Sequence, residues 1–272
     1  MGNRRGIIAG TGLSPYLVAK ELKNQGKELF VLAVETGVNP DLVSLAERYE
    51  TISPGEVARI IHFFQANKIK QALLVGKVSP EWLLKVEKLD FLARELLANL
   101  PARDASSVIE NFIHLLRRHG IEVTDPAPFF QPFLCPPGFL TPQVPPAETL
   151  ADVELAFGLA EILADLEIGQ VVAVKKRVVV AVEALEGTDK MIERAAAIAG
   201  PGFSVAKVGR SRQKMAVDLP AVGPETVRRL VAGKASCLGL EAGRVAFFGR
   251  EEALQIAAEA GLAVLVRERN KG

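Results

Sequence analysis

Acidic side chains stand at the ends of strongly apolar runs between residues 170 and 222, and they are the groups best suited to chemistry. A valine-rich run at 178–182 leads directly into a glutamate, and a second apolar run at 215–217 ends on an aspartate. Burying an unpaired carboxylate costs on the order of several kcal/mol, so such residues are poor packing material. The pattern therefore predicts a binding or catalytic site. The candidate acids are Glu183, Glu186, Asp189 and Asp218.

Polar residues beside these acids each have two interpretations. Gln170 can bind a polar ligand or cap the strand that it opens, and Lys207 and Lys214 can contact an anion or remain solvated on the surface. Thr188 and Asp189 open a predicted helix, where a hydroxyl caps free N–H groups and an acidic side chain favours the helix dipole. We expect either capping or chemistry at these two positions.

A glycine turn near the N-terminus is the second candidate region. Gly10-Thr11-Gly12 lies between a predicted strand and a helix that starts at Ser14-Pro15, which is a geometry that suits a phosphate. The third glycine of a dinucleotide-binding fingerprint is absent, and such turns also occur for steric reasons alone. Glu35 ends the next strand, where an acidic group can meet a ribose hydroxyl. Lys77 follows a third strand and is either an anion contact or a solvated loop lysine.

These residues must be positioned by strands and helices that alternate along the whole chain. Buried-strand patterns occur at 6–9, 29–34 and 71–75, and helical spacing places Val57, Ile60, Ile61 and Phe64 on one face of a helix. Between Pro126 and Pro146 the chain has eight prolines, which excludes an ordinary helix or central strand. We read this segment as an ordered connection whose aromatic residues pack or receive lipid chains.

The predicted fold class is α/β with two α/β domains. Residues 1–130 form a Rossmann-like domain with a parallel sheet, 131–147 the proline-rich connection, and 148–272 a second α/β domain. The second sheet is predicted to be mixed, because 170–174 and 178–182 flank a basic tip as a hairpin does. Strands are also predicted at 204–208, 214–217, 236–240, 245–248 and 262–266.

Composition excludes several classes of protein. The net charge of +1 over 272 residues offers no field for nucleic acid, so no nucleic-acid partner is expected. No apolar run reaches the roughly 20 residues that a membrane span needs, and no signal-peptide pattern is seen, so we expect a cytoplasmic protein. Cys135 and Cys237 lack metal-ligand spacing and are expected to be reduced. The histidines are given no ligand role.

The ordered motifs resemble one family across essentially the whole chain. The similar segments are residues 8–15, 76–79, 168–170, 182–189 and 217–223, and the motifs after residue 168 are the more specific. They resemble the UDP-2,3-diacylglucosamine pyrophosphatase family of lipid A biosynthesis, the two-domain type that is unrelated to the metallophosphoesterase type. The resemblance implies hydrolysis of the substrate's diphosphate, giving 2,3-diacylglucosamine 1-phosphate (lipid X) and UMP.

The resemblance also implies partners and residue roles. It implies Mg²⁺ as cofactor, an active site in the cleft between the domains, a homodimer, and transient contact with the inner face of the inner membrane. By its match to the family's Val-Asp-Leu-Pro motif, Asp218 is the first candidate for catalysis, with Asp189 and Glu186 beside it; Asp218 and Asp189 are the candidate metal ligands. The candidate substrate contacts are Gly10, Thr11, Gly12, Lys77, Gln170, Glu183, Thr188, Lys207 and Lys214.

Two other classes of function stay open at this point. A glycine turn followed by Glu35 is half of a dinucleotide site, which would make the protein an NAD(P)-binding oxidoreductase. A chain that kept the site without turnover would be a non-catalytic protein that binds a lipid-linked nucleotide sugar.

Overall fold

The structure is a computed structural model that describes residues 3–34, 37–78, 89–98, 105–211 and 219–269. Contacts between residues divide the chain into two compact units, with the division between Phe129 and Phe130. The predicted strand at 214–217 lies outside the described residues, as does Glu35. Each unit is described by itself below.

The first unit is built on a parallel sheet. Its strands are β1 (Arg4–Ala9), β2 (Glu28–Ala33), β3 (Arg48–Thr51), β4 (Gln71–Val75) and β5 (Glu122–Val123). They lie in the order β3-β2-β1-β4-β5, and every pairing is parallel. This is the strand order of Rossmann-like folds, in which the order reverses between β1 and β4.

Helices cover this sheet with their apolar faces. They are α1 (Ser14–Asn24), α2 (Leu42–Leu45), α3 (Val57–Ala66), α4 (Phe91–Ala98) and α5 (Ala105–Arg118), and the short α6 (Ala127–Phe130) contains the division of the chain. The face predicted for α3 is confirmed, because Val57, Ile60, Ile61 and Phe64 are all buried. Ser14 is the first residue of α1, and the N-cap residue before it is Leu13, which makes no side-chain capping bond; a proline follows in the first turn, as is common at helix starts.

The second unit is built on a mixed sheet. Its strands are β6 (Gly138–Phe139), β7 (Val171–Lys175), β8 (Val178–Val182), β9 (Ser204–Lys207), β10 (Ala221–Val222), β11 (Cys237–Glu241), β12 (Ala246–Phe247) and β13 (Ala263–Arg267). Six of them form one sheet in the order β6-β13-β11-β9-β7-β8, and β10 pairs with β12 separately. The predicted fold class, two α/β domains with a parallel and a mixed sheet, is confirmed.

Alternate residues of the second sheet pack on opposite faces, as the two-residue repeat of a strand requires. The helices are α7 (Ala147–Asp165), α8 (Thr188–Ala199), α9 (Pro224–Ala232) and α10 (Arg250–Glu259). Val172 and Val174 join the core formed with α7, whereas Val171 and Ala173 join the core on the other face. Cys237 also lies in the α7 core, and burial raises the pKa of its thiol to about 12, so the thiol stays protonated.

The hairpin of β7 and β8 depends on a buried aspartate that is distant in sequence. Lys176 and Arg177 at its tip adopt positive φ angles of 49° and 61°, which are unfavourable for residues other than glycine. The carboxylate of Asp152, on α7, accepts the Lys176 N–H at 2.8 Å and the Arg177 N–H at 2.6 Å. These two bonds stabilise the turn, and they also satisfy a side chain that is only 5% exposed.

Candidate functional site

Strand direction brings several predicted site residues to one edge of the second sheet. Lys207 ends β9, and Glu241 ends the parallel strand β11. β7 runs antiparallel to β9 and places Val171 opposite Lys207, so Gln170 lies at the same edge, and Glu183 follows β8 there. We call this the carboxyl edge of the second sheet, and such edges are where open α/β sheets bind ligands.

Glu183, Thr188 and Lys207 form a continuous hydrogen-bonded chain at this edge. The Thr188 hydroxyl donates to Glu183 Oε1 at 2.8 Å and accepts from Lys207 Nζ at 2.9 Å. Glu183 and Lys207 are each only 8% exposed, so a buried acid and a buried base are joined through one hydroxyl. Buried opposite charges with satisfied hydrogen bonds avoid most of the cost of leaving water. We call these three residues the Glu-Thr-Lys chain.

Main-chain groups also bind to the Glu-Thr-Lys chain. The N–H of Gln170 donates to Glu183 Oε2 at 3.0 Å, and Lys207 Nζ also donates to the carbonyl of Ala221 at 2.9 Å. The carbonyl of Gln170 accepts the N–H of Val208 at 3.0 Å. The main chain of Gln170 therefore connects the acid of the chain to the segment that follows β9.

Gly169 is required by the close approach of Glu183. A Cβ atom at residue 169 would lie 1.9 Å from the carbonyl oxygen of Glu183, far inside any permitted contact. Neither backbone can move away easily, because the next residue, Gln170, is hydrogen-bonded to the Glu183 side chain. The glycine of the Ile168-Gly169-Gln170 motif therefore allows Glu183 to reach its position.

Replacement of Gly169 by alanine tests this packing. We expect Gly169→Ala to lower the free energy of unfolding by about 3 kcal/mol or more, since overpacking a tight contact with backbone has no cheap relief. The measurement is equilibrium denaturation in urea. Gly158→Ala, within α7, is the matched control: a Cβ there meets no described atom within 4 Å, so we expect a gain of roughly 0.5–1 kcal/mol. Equal stabilities for the two variants would show that the contact with Glu183 does not require a glycine at residue 169.

Glu186 and Asp189, predicted to act in catalysis, are each paired with an arginine. Glu186 accepts the N–H of Ala184 at 3.1 Å and lies 2.5 Å from Arg194 Nη2. The hydrogen bond from Arg194 is the main reason why the pKa of this carboxyl lies below its usual range. Asp189 is in the first turn of α8, where its Oδ2 lies 3.4 Å from Arg229 Nε. These pairings supply structural roles for both acids, and their catalytic roles stay predictions.

Asp218 and Lys214 lie in segment 212–218, outside the described residues. Within the described ranges, no group of three or more His, Cys, Asp or Glu side chains is arranged to hold a metal ion. Of the two candidate metal ligands, Asp189 lies within the described residues, and its carboxylate is 45% exposed beside Arg229.

In the first unit, the glycine turn lies where the strand order reverses, but its backbone is already hydrogen-bonded. The N–H of Gly10 donates to Val75 O at 2.8 Å, the N–H of Thr11 to Lys77 O at 2.8 Å, and the N–H of Lys77 to Thr11 O at 3.0 Å. A Cβ at Gly10 would lie 2.4 Å from Lys77 O, so close backbone approach explains this glycine. Gly12 and the side chain of Lys77 are exposed and can still meet a ligand.

Two buried acids of the second unit were missed by the sequence reasoning. Glu241 is 2% exposed and follows the apolar run 237–240, which is the same pattern that indicated Glu183. That pattern would have identified it. Asp152 lies within the helical repeat of α7, and nothing local in the sequence distinguishes it from a surface residue.

The fold and the site define a class: a protein of two α/β units whose second, mixed sheet holds a buried acid, hydroxyl and lysine at its carboxyl edge. The model of the LpxI N-terminal domain matches residues 4–133, and that of the LpxI C-terminal domain matches residues 136–265. The chain belongs to the LpxI family, which confirms the resemblance drawn from its motifs.

A relative from Caulobacter vibrioides, named UDP-2,3-diacylglucosamine pyrophosphatase LpxI, is 30% identical over an alignment of 275 positions, which covers 96% of this chain and 96% of the relative. Among solved structures, CobK precorrin-6A reductase is 14% identical with a TM-score of 0.36, covering 98% of this chain and 88% of its own. A biotin carboxylase domain from Hydrogenobacter thermophilus is 15% identical with a TM-score of 0.27, and the match covers 72% of this chain and 41% of that one. These two structural likenesses are too low to support an argument.

Proposed function

We propose that this chain hydrolyses the diphosphate of UDP-2,3-diacylglucosamine to 2,3-diacylglucosamine 1-phosphate (lipid X) and UMP, a step of lipid A biosynthesis. The observation that carries the proposal is the relative named UDP-2,3-diacylglucosamine pyrophosphatase LpxI, which is 30% identical to this chain in a match that covers 96% of it. The match includes both units, because family models of both domains are matched.

The geometry of the carboxyl edge supports chemistry on a phosphoryl group. A diphosphate needs fixed positive charge and hydrogen-bond donors where charge develops, held in place before the reaction. Lys207 supplies an ammonium group that is buried and positioned by Thr188 Oγ1 and Ala221 O, each at 2.9 Å. We propose Lys207 and Lys214 as diphosphate contacts, with Gln170, Glu183 and Thr188 beside them.

We propose Asp218 as the principal catalytic residue, with Asp189 and Glu186 in supporting roles. Asp189 and Glu186 each lie within 3.4 Å of an arginine nitrogen, so a positive charge stands beside each carboxylate. Gly10, Thr11, Gly12 and Lys77 are the proposed contacts from the first unit. Of these, Lys77 is the residue with a charged side chain. The N–H of Thr11 is already donated to Lys77 O, so it is not available to a ligand.

We propose Mg²⁺ as the cofactor, with Asp218 and Asp189 as its protein ligands. Magnesium commonly uses one or two carboxylates together with water and phosphate oxygens, so two aspartates are enough in number. The oxygen donors of Asp189 suit this ion, and Arg229 at 3.4 Å would have to share the carboxylate with it. When bound, Mg²⁺ would neutralise phosphoryl oxygens.

The proposed activity is tested with the purified chain, UDP-2,3-diacylglucosamine and Mg²⁺, with and without a chelator. We expect UMP to be released, and release to stop with the chelator and resume when Mg²⁺ is restored. Chromatography of the nucleotide product measures the rate. No UMP under any metal condition would contradict the function, while undiminished release with the chelator would contradict the cofactor alone.

We propose two kinds of partner for the whole chain. The acyl chains in the relative's substrate name imply transient contact with the inner face of the inner membrane. Within the described ranges we find no helix with the length and apolar character needed to span a bilayer. Sedimentation with phospholipid vesicles tests this contact, and a protein that stays in the supernatant would exclude it. Light scattering tests the proposed homodimer, and the mass of one chain would exclude it.

A further inference from the structure

The loop between β8 and α8 joins two members of the Glu-Thr-Lys chain. It runs from residue 183 to residue 187, so Glu183 is its first residue, and Thr188 follows it as the first residue of α8. The hydroxyl of Thr188 donates to Glu183 Oε1 at 2.8 Å and accepts from Lys207 Nζ at 2.9 Å. The shape of this β8–α8 loop therefore decides whether the hydroxyl reaches both the acid and the base.

Main-chain bonds and packing hold the β8–α8 loop only weakly. The N–H of Gly187 lies 3.4 Å from Ala184 O, which is longer than the roughly 2.7–3.2 Å of an ordinary N–H···O bond. The side chain of Leu185, in the middle of the loop, is 62% exposed, so it adds little apolar contact with the sheet. Other contacts must therefore keep the loop in place.

Arg194 supplies such contacts from within α8. Its Nη2 atom donates to Val182 O, at the end of β8, at 2.8 Å, and to Glu186 Oε1, in the loop, at 2.5 Å. The other carboxylate oxygen of Glu186 accepts the Ala184 N–H at 3.1 Å. One guanidinium thus connects the end of the strand, the loop and the helix, and we call Arg194 and Glu186 the loop brace.

We propose that Arg194 is a positioning residue for the reaction, which holds the β8–α8 loop and through it the Glu-Thr-Lys chain. Lys207 is the proposed contact of the diphosphate, so this inference rests on the proposed function. A misplacement of about 1 Å at a reacting group can cost on the order of 10²-fold in rate, so a small movement of the loop should already lower the rate. Glu186 then supports the reaction by holding the loop, without contacting the substrate.

The test compares Arg194→Met with Arg228→Met in the full-length chain. Methionine keeps much of the apolar stem of arginine and removes its charge and its donors. We expect kcat for UMP release to fall by about 10-fold in Arg194→Met with KM within about 2-fold, because the ammonium group of Lys207 is still present but less well placed. Arg228 also pairs with glutamates and is 49% exposed against 45% for Arg194, so Arg228→Met is the matched control and should keep wild-type kcat.

Two further readouts separate positioning from general stability. Ion pairs between exposed side chains contribute little to folding, so the urea midpoint of Arg194→Met should match that of Arg228→Met. Hydrogen exchange of the Ala184 and Gly187 amides should accelerate by about 10-fold or more in Arg194→Met, while amides of β7 and β9 exchange as in the wild type.

Glu186→Gln decides between the loop brace and direct catalysis by Glu186. Its amide oxygen can still accept a hydrogen bond from Arg194 or from the Ala184 N–H, so we expect a smaller loss of kcat than in Arg194→Met. An acid that took part in the reaction would give the reverse order, because an amide cannot accept a proton as a carboxylate does. A larger loss in Glu186→Gln than in Arg194→Met therefore overturns the inference that this pair acts through the loop.

The outcomes distinguish this proposal from the proposed function. If the wild-type chain releases UMP, wild-type kcat in Arg194→Met overturns the positioning role, and so does a loss of kcat without faster exchange at Ala184. A rise in KM at wild-type kcat would make Arg194 a substrate contact, which also overturns it. If the wild-type chain releases no UMP, the proposed function fails and the positioning role fails with it, whatever the exchange rates are.

Discussion

Asp218→Ala is expected to lower kcat for UMP release by at least about 10³-fold, which is about 4 kcal/mol of transition-state stabilisation. The reason is that hydrolysis of a diphosphate needs a carboxylate to hold the metal or to activate the attacking water, and no uncharged methyl group replaces either role. The fold and the binding of UMP should be retained. The measurements are the rate of UMP release, the melting temperature and a UMP binding titration.

Comparison with Asp189→Asn shows which of the two aspartates is the principal catalytic carboxylate. Asp189 is the rival carboxylate, and its pairing with Arg229 gives it a structural reason to be present. We therefore expect a smaller loss of kcat in Asp189→Asn than in Asp218→Ala. An active Asp218→Ala enzyme, or a larger loss in Asp189→Asn, would show that the catalytic position has been misassigned.

Lys207→Met is expected to reduce both stability and activity, because it removes the positive charge that the structure joins to buried Glu183 through Thr188. Leaving a buried acid without its base costs about 3–5 kcal/mol in comparable pairs, and the intervening hydroxyl should reduce this to about 2–4 kcal/mol. We expect kcat/KM to fall by about 10²-fold or more, since a preorganised charge beside a phosphoryl group contributes on this order. Urea denaturation and the UMP assay measure the two effects.

The double variant Glu183→Gln, Lys207→Met separates the two effects. Removing both charges should recover part of the lost stability and none of the activity, since the buried acid is gone but the ammonium group is still absent. Lys190→Met, at an exposed position of α8, is the matched control and should alter neither quantity. A Lys207→Met variant with wild-type stability would mean that the Glu-Thr-Lys chain contributes nothing to the fold.

The strands that could be predicted from sequence are those with continuous apolar runs. The prediction for 71–75 agrees with β4 at both ends, because the run is bounded by polar residues and glycine. β3 (Arg48–Thr51) was not predicted, since its sequence has no apolar run and its place depends on backbone pairing with β2. Edge strands of this kind leave little pattern in the sequence.

The site was predictable as a set of residues and not as a set of contacts. Glu183, Thr188 and Lys207 were each proposed from type and position, but their connection depends on the register that sets Val171 opposite Lys207. The contact of Asp165 with Ser211 joins residues 46 apart in sequence. Such contacts follow from tertiary packing, and a single sequence carries no local signal for them.

Strand β6 gives the proline-rich connection a protective role. Phe139 and Gly138 pair antiparallel with Leu265 and Val266, so two residues of the connection occupy the outer side of β13. Without them, the hydrogen-bonding groups of a strand whose Val264 and Val266 are buried would face solvent and could pair with another chain. A fragment that began at residue 148 would therefore carry an open, apolar sheet edge. The prolines nearby cannot donate ladder bonds, so the cover itself does not become a template for aggregation.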